Sequence, residues 1–366
     1  MFFNIETLIY TYLFICISLL VFNLLYIFRS KGRERRQKRN ADAWVKRIEW
    51  QMQRIAQGEN IEQEHLKLAE KKLVKTEALF SFGAALDALE EKSPGQTDAY
   101  MYSIQGGIQV LASRYAKKDS MDRAYFAFLI SRHCPGSTEE FKPVMEILIS
   151  FLDDSTVYCK ENVLKALYSL GNVQAVENAL QVFNDRGWFH HQKLLSDGLL
   201  TFRGDLEKLA ERLWSHHREW NDRIMLSVIQ FITGFSENYK EIFLPFLEQE
   251  TAGREIRLAI MRYYRRHTYE PARPLLISLL LDEKGEDNAK IVAASVLSQY
   301  PGEDTAAALK KALQYYNWYV RYNAASSLAA QRIPARELLD VLEGKDRYAK
   351  EILEYMLEDA KAGEYE

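Results

Sequence analysis

The feature of this sequence that most constrains its fold is a motif repeated about every 32 residues. Its two best copies, 289–297 and 320–328, align without a gap, and 159–167 has the same form. Each copy has a basic residue, two variable residues, two small or apolar residues and a later apolar residue. We call the eight basic positions the basic row: Arg123, Lys160, Lys193, Arg223, Arg257, Lys290, Arg321 and Lys350. A period of this length predicts units that each pack on their neighbours.

The helix-breaking residues between copies predict that each unit is a helix, a turn and a second helix. A Gly or Pro follows seven of the basic positions after eleven to fourteen residues. These breakers are Pro135-Gly136, Gly171, Gly204, Gly234, Pro271, Pro301-Gly302 and Pro334. Amphipathic runs such as 172–184 and 304–315 come next, and no run alternates as a strand does. The sequence therefore predicts an all-α fold, an α-solenoid.

The N-terminus predicts a transmembrane helix. Residues 7–28 carry no charge, and 22 residues of helix span about 33 Å, enough to cross a hydrocarbon core of about 30 Å. The alternative is a cleaved signal peptide, but residues 1–6 contain no Lys or Arg and no small-residue cleavage site follows the run.

Seven basic residues directly after this run predict its orientation. By the positive-inside rule, the chain is a single-pass protein of the cell membrane with its N-terminus outside and its body in the cytoplasm. The same residues are predicted to contact anionic lipid headgroups. They are Arg29, Lys31, Arg33, Arg35, Arg36, Lys38 and Arg39.

The charge distribution limits the class of partner, and the cysteine content indicates the cellular compartment. Residues 1–40 carry a net charge of +5, which leaves −8 on residues 41–366 out of a total of −3. Nucleic acid is thereby excluded as a main partner, because phosphate binding requires a surplus of cations. The three cysteines form no CxxC motif, which suits a reducing compartment.

The segment after the basic cluster is predicted to be an amphipathic helical neck. Trp44, Ile48 and Ile55 share one helical stripe. This stripe either packs on the next helix, expected over 61–91, or lies in the headgroup plane with Trp44 and Trp50 as anchors. The predicted organisation is an external segment 1–6, a transmembrane helix 7–28, a basic juxtamembrane segment 29–40, a neck 41–115 and a repeat solenoid 116–366.

Residues 318–328 resemble the second helix of a HEAT repeat, especially the short form found in phycobilin lyases. Asp154, six residues before Lys160, matches the acidic–basic spacing of that family, although most other copies lack the acid. The resemblance covers roughly residues 116–360 and implies a HEAT-like solenoid that binds protein. One N-terminal span followed by such an array, with the phrase 117–127, also resembles bacterial single-pass HEAT-repeat membrane proteins associated with surface polysaccharide glycosyltransferases. That second resemblance implies a membrane glycosyltransferase of exopolysaccharide synthesis as the partner.

The candidate protein-binding residues are six members of the basic row and three tryptophans. Lys160, Lys193, Arg223, Arg257, Lys290 and Arg321 either form a ladder that holds neighbouring repeats together or line a surface for an acidic partner segment. Trp188, Trp220 and Trp318 lie three to five residues before a basic position. They either pack against the turn between helices or form an exposed aromatic ridge.

Motifs for catalysis are absent from the sequence. It contains no Walker A, dinucleotide-binding, zincin or nucleophile-elbow signature. The pairs His190-His191 and His216-His217 have poor geometry for chelation, and Cys134 beside His133 is better explained as a helix end. We therefore expect a scaffold and no enzyme, cofactor, metal or small-molecule substrate. The alternative is a HEAT-repeat enzyme of lyase or hydroxylase type, although no His-Glu dipeptide occurs.

Overall fold

The computed structural model of this chain describes residues 5–93, 95–134, 136, 141–248 and 253–362. Within that part of the chain the structure is all-helical, with 20 α-helices and no strand. The all-α part of the predicted fold class is therefore confirmed. Residues 1–4 of the predicted external segment, Pro135 and the last four residues of the predicted solenoid lie outside the described residues.

The first helix, α1 (Ile5–Ala56), runs without interruption through three predicted segments: the apolar run, the basic cluster and the first part of the neck. Its apolar half has a mean hydropathy of 2.2 over the best 18-residue window, and none of that window is buried. This helix is long and apolar enough to cross a membrane. All seven basic residues that follow Phe28 are exposed on it.

Contacts between Cα atoms divide the chain into two compact units. The first comprises Met1–Ala179 and Phe202–Gly204, and the second Leu180–Thr201 and Asp205–Glu366. The predicted boundary between neck and solenoid at residue 115 stays a prediction, because compactness and repeat membership are different criteria.

In the first unit, the neck stripe of α1 packs inside the protein. Helix α1 contacts α3 and α4, and both Trp44 and Ile48 are buried, whereas Trp50 is exposed. The indole of Trp44 lies 5.3 Å from the ring of Phe82, edge to face. Of the two interpretations of the stripe, the structure shows intramolecular packing for Trp44 and Ile48. The remaining helices of this unit are α2 (Gln63–Lys72), α3 (Thr76–Lys92), α4 (Gln96–Ser103), α5 (Gln105–Tyr115), α6 (Ser120–His133), α7 (Lys142–Ser150) and α8 (Val157–Leu170), and α9 (Val173–Asp185) continues into the second unit.

Two helices of the predicted array in the first unit, α6 and α8, pack directly on each other. The side chain of Asp119 accepts hydrogen bonds from two backbone N–H groups at the start of α6, and the hydroxyl of Thr156 accepts one, from the Cys159 N–H, at the start of α8. Helix α8 ends at Gly171, whose φ of 68° is in the left-handed region that glycine adopts without strain. Caps and breakers thus place these helix ends where the sequence pattern predicts them.

In the second unit, every even-numbered helix packs on the next even-numbered helix, from α10 to α20. The odd-numbered helices α11, α13, α15, α17 and α19 each pack on the helix that follows them. The helices are α10 (Gln192–Leu200), α11 (Leu206–Ser215), α12 (Asp222–Phe235), α13 (Lys240–Glu248), α14 (Arg254–Arg266), α15 (Arg273–Leu281), α16 (Asp287–Val296), α17 (Glu303–Ala312), α18 (Trp318–Ala330), α19 (Leu339–Leu342) and α20 (Arg347–Ala362).

Buried small residues and tyrosines connect these helices. Ala324 and Ala325 of α18 are fully buried, and the Ser327 hydroxyl donates to the carbonyl of Ala294 on α16 at 2.7 Å. The hydroxyl of Tyr300 donates to the carbonyl of Tyr264 at 3.0 Å, and burial raises its pKa to about 12. Each such bond satisfies a polar group that burial would otherwise leave unpaired.

Candidate protein-binding surface

The structure places all eight members of the basic row within the first four residues of eight even-numbered helices, α6 to α20. This position is unfavourable for a cation, because the N-terminal end of a helix carries a partial positive charge. A basic side chain here therefore has to find an acceptor or extend into water. The structure shows both outcomes.

Arg123, on α6, forms contacts of the ladder type. Its guanidinium donates to the backbone carbonyls of Asp153 and Asp154, each at 3.1 Å, in the turn that precedes α8. Lys160, on α8 itself, is half-buried, and burial lowers its pKa, while the nearby Asp153 acts in the opposite direction.

Lys290 and Arg321 also form ladder contacts, in the second unit. Lys290 is only 1% exposed; its ammonium donates to the Gly285 carbonyl and lies 5.1 Å from the ring centroid of Tyr315. Arg321 donates to the Tyr315 carbonyl and forms a 3.2 Å ion pair with Asp346, at the start of α20. Asp346 in turn caps α20 by accepting from the N–H groups of Tyr348 and Ala349.

Asp287 ties α16 to the loop before α18. Its carboxylate accepts hydrogen bonds from the hydroxyls of Tyr315 and Tyr316 and from the amide of Asn317, at 2.8–2.9 Å. These donors, Asn317 first, lower the pKa of Asp287. Since Asn317 also caps α18, one carboxylate binds three successive residues, 315–317, directly before that helix.

Three other members of the basic row have different surroundings. Lys193 and Arg223 are exposed at the starts of α10 and α12, and the Arg223 guanidinium lies 5.3 Å from the ring centroid of Phe189. Arg257 is half-buried on α14. Within the row, Arg123, Lys290 and Arg321 therefore bind acceptors outside their own helices, Lys193 and Arg223 are exposed, and Lys160 and Arg257 are half-buried.

The three predicted tryptophans also differ. Trp220 is buried, and its indole N–H donates to the Leu213 carbonyl at 2.7 Å, so it packs against its own turn. Trp188 is half-buried, edge to face with Phe183 at 5.7 Å. Only Trp318, at 57% exposure, presents most of its side chain to solvent.

Trp318 belongs to a larger exposed cluster that we call the aromatic patch, comprising Tyr316, Trp318, Tyr319, Tyr322 and Tyr348. Tyr316, Tyr319 and Tyr348 are 75%, 61% and 72% exposed. The Trp318 ring lies 5.2 Å from Tyr319 and 5.1 Å from Tyr322, while the Arg321 guanidinium lies 5.8 Å from the Tyr348 ring. Sequence reasoning selected only Trp318, although five aromatic residues among residues 315–322 were a visible signal.

The candidate catalytic groups lie in ordinary structural environments. Burial raises the pKa of the Cys134 thiol and lowers the pKa of His133, which lies 3.5 Å from Asp87. His217 stacks on Trp214 at 4.8 Å, and His190 lies edge to face with Phe183. In the described part of the chain, no three His, Cys, Asp or Glu side chains cluster in a way that could hold a metal ion.

Comparison with known proteins gives a distant likeness only. No family model matches the sequence, and no curated protein matches it. An engineered protein of known crystal structure is similar with a TM-score of 0.35 and 15% identity, over 88% of this chain and 95% of the other. Human deoxyhypusine hydroxylase, solved in complex with glycerol, is similar with a TM-score of 0.30 and 16% identity, over 82% of this chain and 96% of the other. At TM-scores this low, neither likeness bears on what this chain does.

Proposed function

We propose that this chain is a membrane-anchored scaffold whose body captures a membrane-associated protein partner through the aromatic patch. The anchor is α1, crossing the membrane once with its N-terminus outside. The body is a HEAT-like α-solenoid in the cytoplasm. The partner class suggested by the resemblance above is a membrane glycosyltransferase of exopolysaccharide synthesis.

The anchor is supported by the exposure of the apolar half of α1. A core helix of a soluble protein would be covered by its neighbours, yet no residue in the most apolar window of α1 is buried. The exposed cations that follow Phe28 have the distribution typical of a cytoplasmic flank. A signal peptide also ends early in a chain, but α1 continues without a break into the packed residues Trp44 and Ile48.

The solenoid is supported by the agreement between sequence period and helix contacts. Eight copies of the motif start eight even-numbered helices, and each of these helices in the second unit packs on the next. Because each unit contacts only its neighbours, such an array presents extended surfaces, the property that repeat proteins use for binding.

The aromatic patch is the observation that carries the binding role. Trp, Tyr and Arg dominate the residues that contribute most to protein–protein affinity. Four of the five patch residues expose more than half of their side-chain surface, at the ends of two adjacent helices, α18 and α20. The hydrogen bonds of Asp287 and Arg321 hold this segment in place, so binding requires little further ordering.

Affinity purification of the full chain in mild detergent tests the role of the patch. We expect Trp318→Ala combined with Tyr319→Ala to lose a co-purifying membrane protein that the parent retains. Melting temperature should be unchanged, because both side chains are exposed. The matched control is Tyr158→Ala, an exposed aromatic residue on α8, which should retain the partner. If the double variant captured the same proteins in the same amounts, the patch would not be the binding surface.

A reporter fused after Glu366 tests the topology separately. Seven cations follow the apolar run and none precedes it, so we expect a cytoplasmic signal. An external signal would reverse the assigned orientation, and a soluble product that lacks residues 1–28 would show that the run is a signal peptide.

A further inference from the structure

A basic cleft in the first unit lies between α1, α2 and the start of α3. We call it the neck cleft. Its volume is about 470 Å³, within the range of about 300–1,000 Å³ typical of small-molecule sites. Arg47 projects from α1, Lys71 and Lys72 from α2, and Lys75 precedes α3, while Trp44 and Leu68 supply apolar lining.

The charge of this cleft is one-sided. Four cations line it and no carboxylate does. Among the described residues, no acidic oxygen lies within 4.0 Å of the charged nitrogens of these four side chains, whereas Arg54 and Lys92 of the same unit both form ion pairs. Four cations gathered without a counter-charge repel one another, and a bound anion relieves that repulsion.

The apolar lining is held rigidly. Trp44 is buried, and its ring lies edge to face with Phe82 at 5.3 Å and with His65 at 6.0 Å. The ring nitrogen of His65 is itself 2.8 Å from the hydroxyl of Tyr100, a buried pair. A preformed apolar wall beside several cations suits a ligand that has both a multiply charged end and an organic part.

A second opening extends this basic surface. It shares Lys71 and Lys75 with the neck cleft and adds Lys67 and Arg114, together with one acid, Glu70. Cations therefore continue beyond the first cleft on this side, which favours more than one anionic group on the ligand, whereas a third opening that shares Arg47 and Leu68 is lined by Glu62 and Glu64. We infer that the neck cleft binds a small phosphorylated organic anion, of which a nucleoside triphosphate is the simplest probe.

The position of the cleft on α1 separates the two sources of such a phosphate, a free molecule and a lipid headgroup. This step rests on the proposed membrane span. Arg47 lies 19 residues after Phe28, about 28 Å along the helix axis. The headgroup region adds only about 5–8 Å on each side of the hydrocarbon core. An upright α1 therefore carries the cleft past the headgroups, and the ligand is a soluble one.

Isothermal titration calorimetry on the full chain in neutral-lipid nanodiscs tests this assignment, with ATP and inorganic pyrophosphate as probes. We expect ATP to bind, pyrophosphate to bind several-fold more weakly because it has no organic part to contact the apolar lining such as Leu68, and ATP affinity to fall at least tenfold in Lys71→Gln combined with Lys75→Gln. The control is Lys117→Gln combined with Lys165→Gln, which changes the charge equally at exposed positions outside the cleft and should bind as the parent does.

Three outcomes would overturn the inference. Absence of ATP binding to the folded parent would remove the site, and equal losses in both double variants would reduce it to general charge attraction. The third outcome concerns thermal unfolding in the presence of anionic lipid vesicles. The vesicles would raise the melting temperature of the parent but not that of Lys71→Gln/Lys75→Gln, and ATP would not change the melting temperature of the parent. That result would assign the cleft to a headgroup. None of these measurements depends on the aromatic patch, so failure here leaves the scaffold role standing, and loss of the scaffold role leaves this site standing.

Discussion

The helices α16–α20 and the helices α10–α12 carry the same repeat position in opposite environments. In the first region, Lys290 is buried against a carbonyl and Arg321 joins α18 to Asp346 of α20. In the second, Lys193 and Arg223 are exposed to solvent. The comparison shows that a repeated basic residue marks the same position in each repeat. Whether its side chain joins two helices or stays in water depends on the hydrogen-bond acceptors near the next helix.

The acceptors explain this difference. Asp346 precedes α20 and offers its carboxylate both to that helix and to Arg321. The residue before α14 is Gly253, which has no side chain that could accept a hydrogen bond from Arg223. Asn221, before α12, is occupied by the N–H groups of Arg223 and Ile224.

The largest effect is expected from reversing the charge of Lys290. Lys290→Glu places a carboxylate in a buried site, facing the Gly285 carbonyl and near Asp287. We expect a loss of about 3 kcal/mol or more in the free energy of unfolding. Lys193→Glu, at the same repeat position, should change it by less than about 0.5 kcal/mol. Thermal melting of the full chain in detergent, monitored by circular dichroism, compares the two variants. Equal melting temperatures would show that the two repeat positions contribute equally to stability.

Arg321→Met should lower the free energy of unfolding by less than Lys290→Glu does, but by a measurable amount. It leaves the Tyr315 carbonyl and Asp346 without their cationic donor. We expect the free energy of unfolding to fall by about 1.5–3 kcal/mol. The control Arg223→Met removes an exposed guanidinium and should leave the melting temperature almost unchanged. If both variants melted alike, the ion pair with Asp346 would contribute nothing net.

The close packing of α18 can be tested by overpacking it. Ala325→Phe forces a ring into a fully buried position, at a cost of about 1–3 kcal/mol. Ala330→Phe places the same ring at an exposed position on the same helix and should be tolerated. Unchanged melting of the first variant would mean that the register of α18 differs from the one described.

The smallest effect concerns pH. Hydrogen bonds from the Ala349 N–H and from Arg321 hold the pKa of Asp346 below its ordinary value of 3.8. Because the folded-state pKa is the lower one, this stabilisation is complete above the unfolded pKa and is lost as pH falls through the folded one. Asp346→Asn should therefore show a slightly smaller drop in melting temperature between pH 6 and pH 3 than the parent. Asp197→Asn, exposed on α10, should behave as the parent does.

Periodicity predicted the parts of this structure that depend on neighbours along the chain. The repeat indicated the all-α fold, and the uncharged run 7–28 indicated a long apolar helix at the N-terminus, because both are set by residues close together in the sequence. The predicted helix over 61–91 is divided into α2 and α3, a break that no Gly or Pro signals.

Features that depend on distant residues escaped prediction. The acid that pairs with Arg321 lies 25 residues away, directly before another helix, and the acceptors of Arg123 are backbone carbonyls, which no sequence pattern reveals. The neck cleft is a similar case. Lys71, Lys72 and Lys75 are visible as a basic cluster, but the cleft exists only because Trp44 and Arg47 of α1 pack beside them.

The continuity of α1 has a consequence for how the first unit is oriented. No proline interrupts the 52 residues of this helix, so its apolar half and the neck cleft share one helical phase. Each residue inserted between them would turn the cleft by about 100° around the axis and move it outward by about 1.5 Å, and about 18 inserted residues would restore the original angle. The length of the basic segment 29–40 therefore sets both the distance of the neck cleft from the apolar half of α1 and its angle around the helix axis. A flexible tether could not fix that angle.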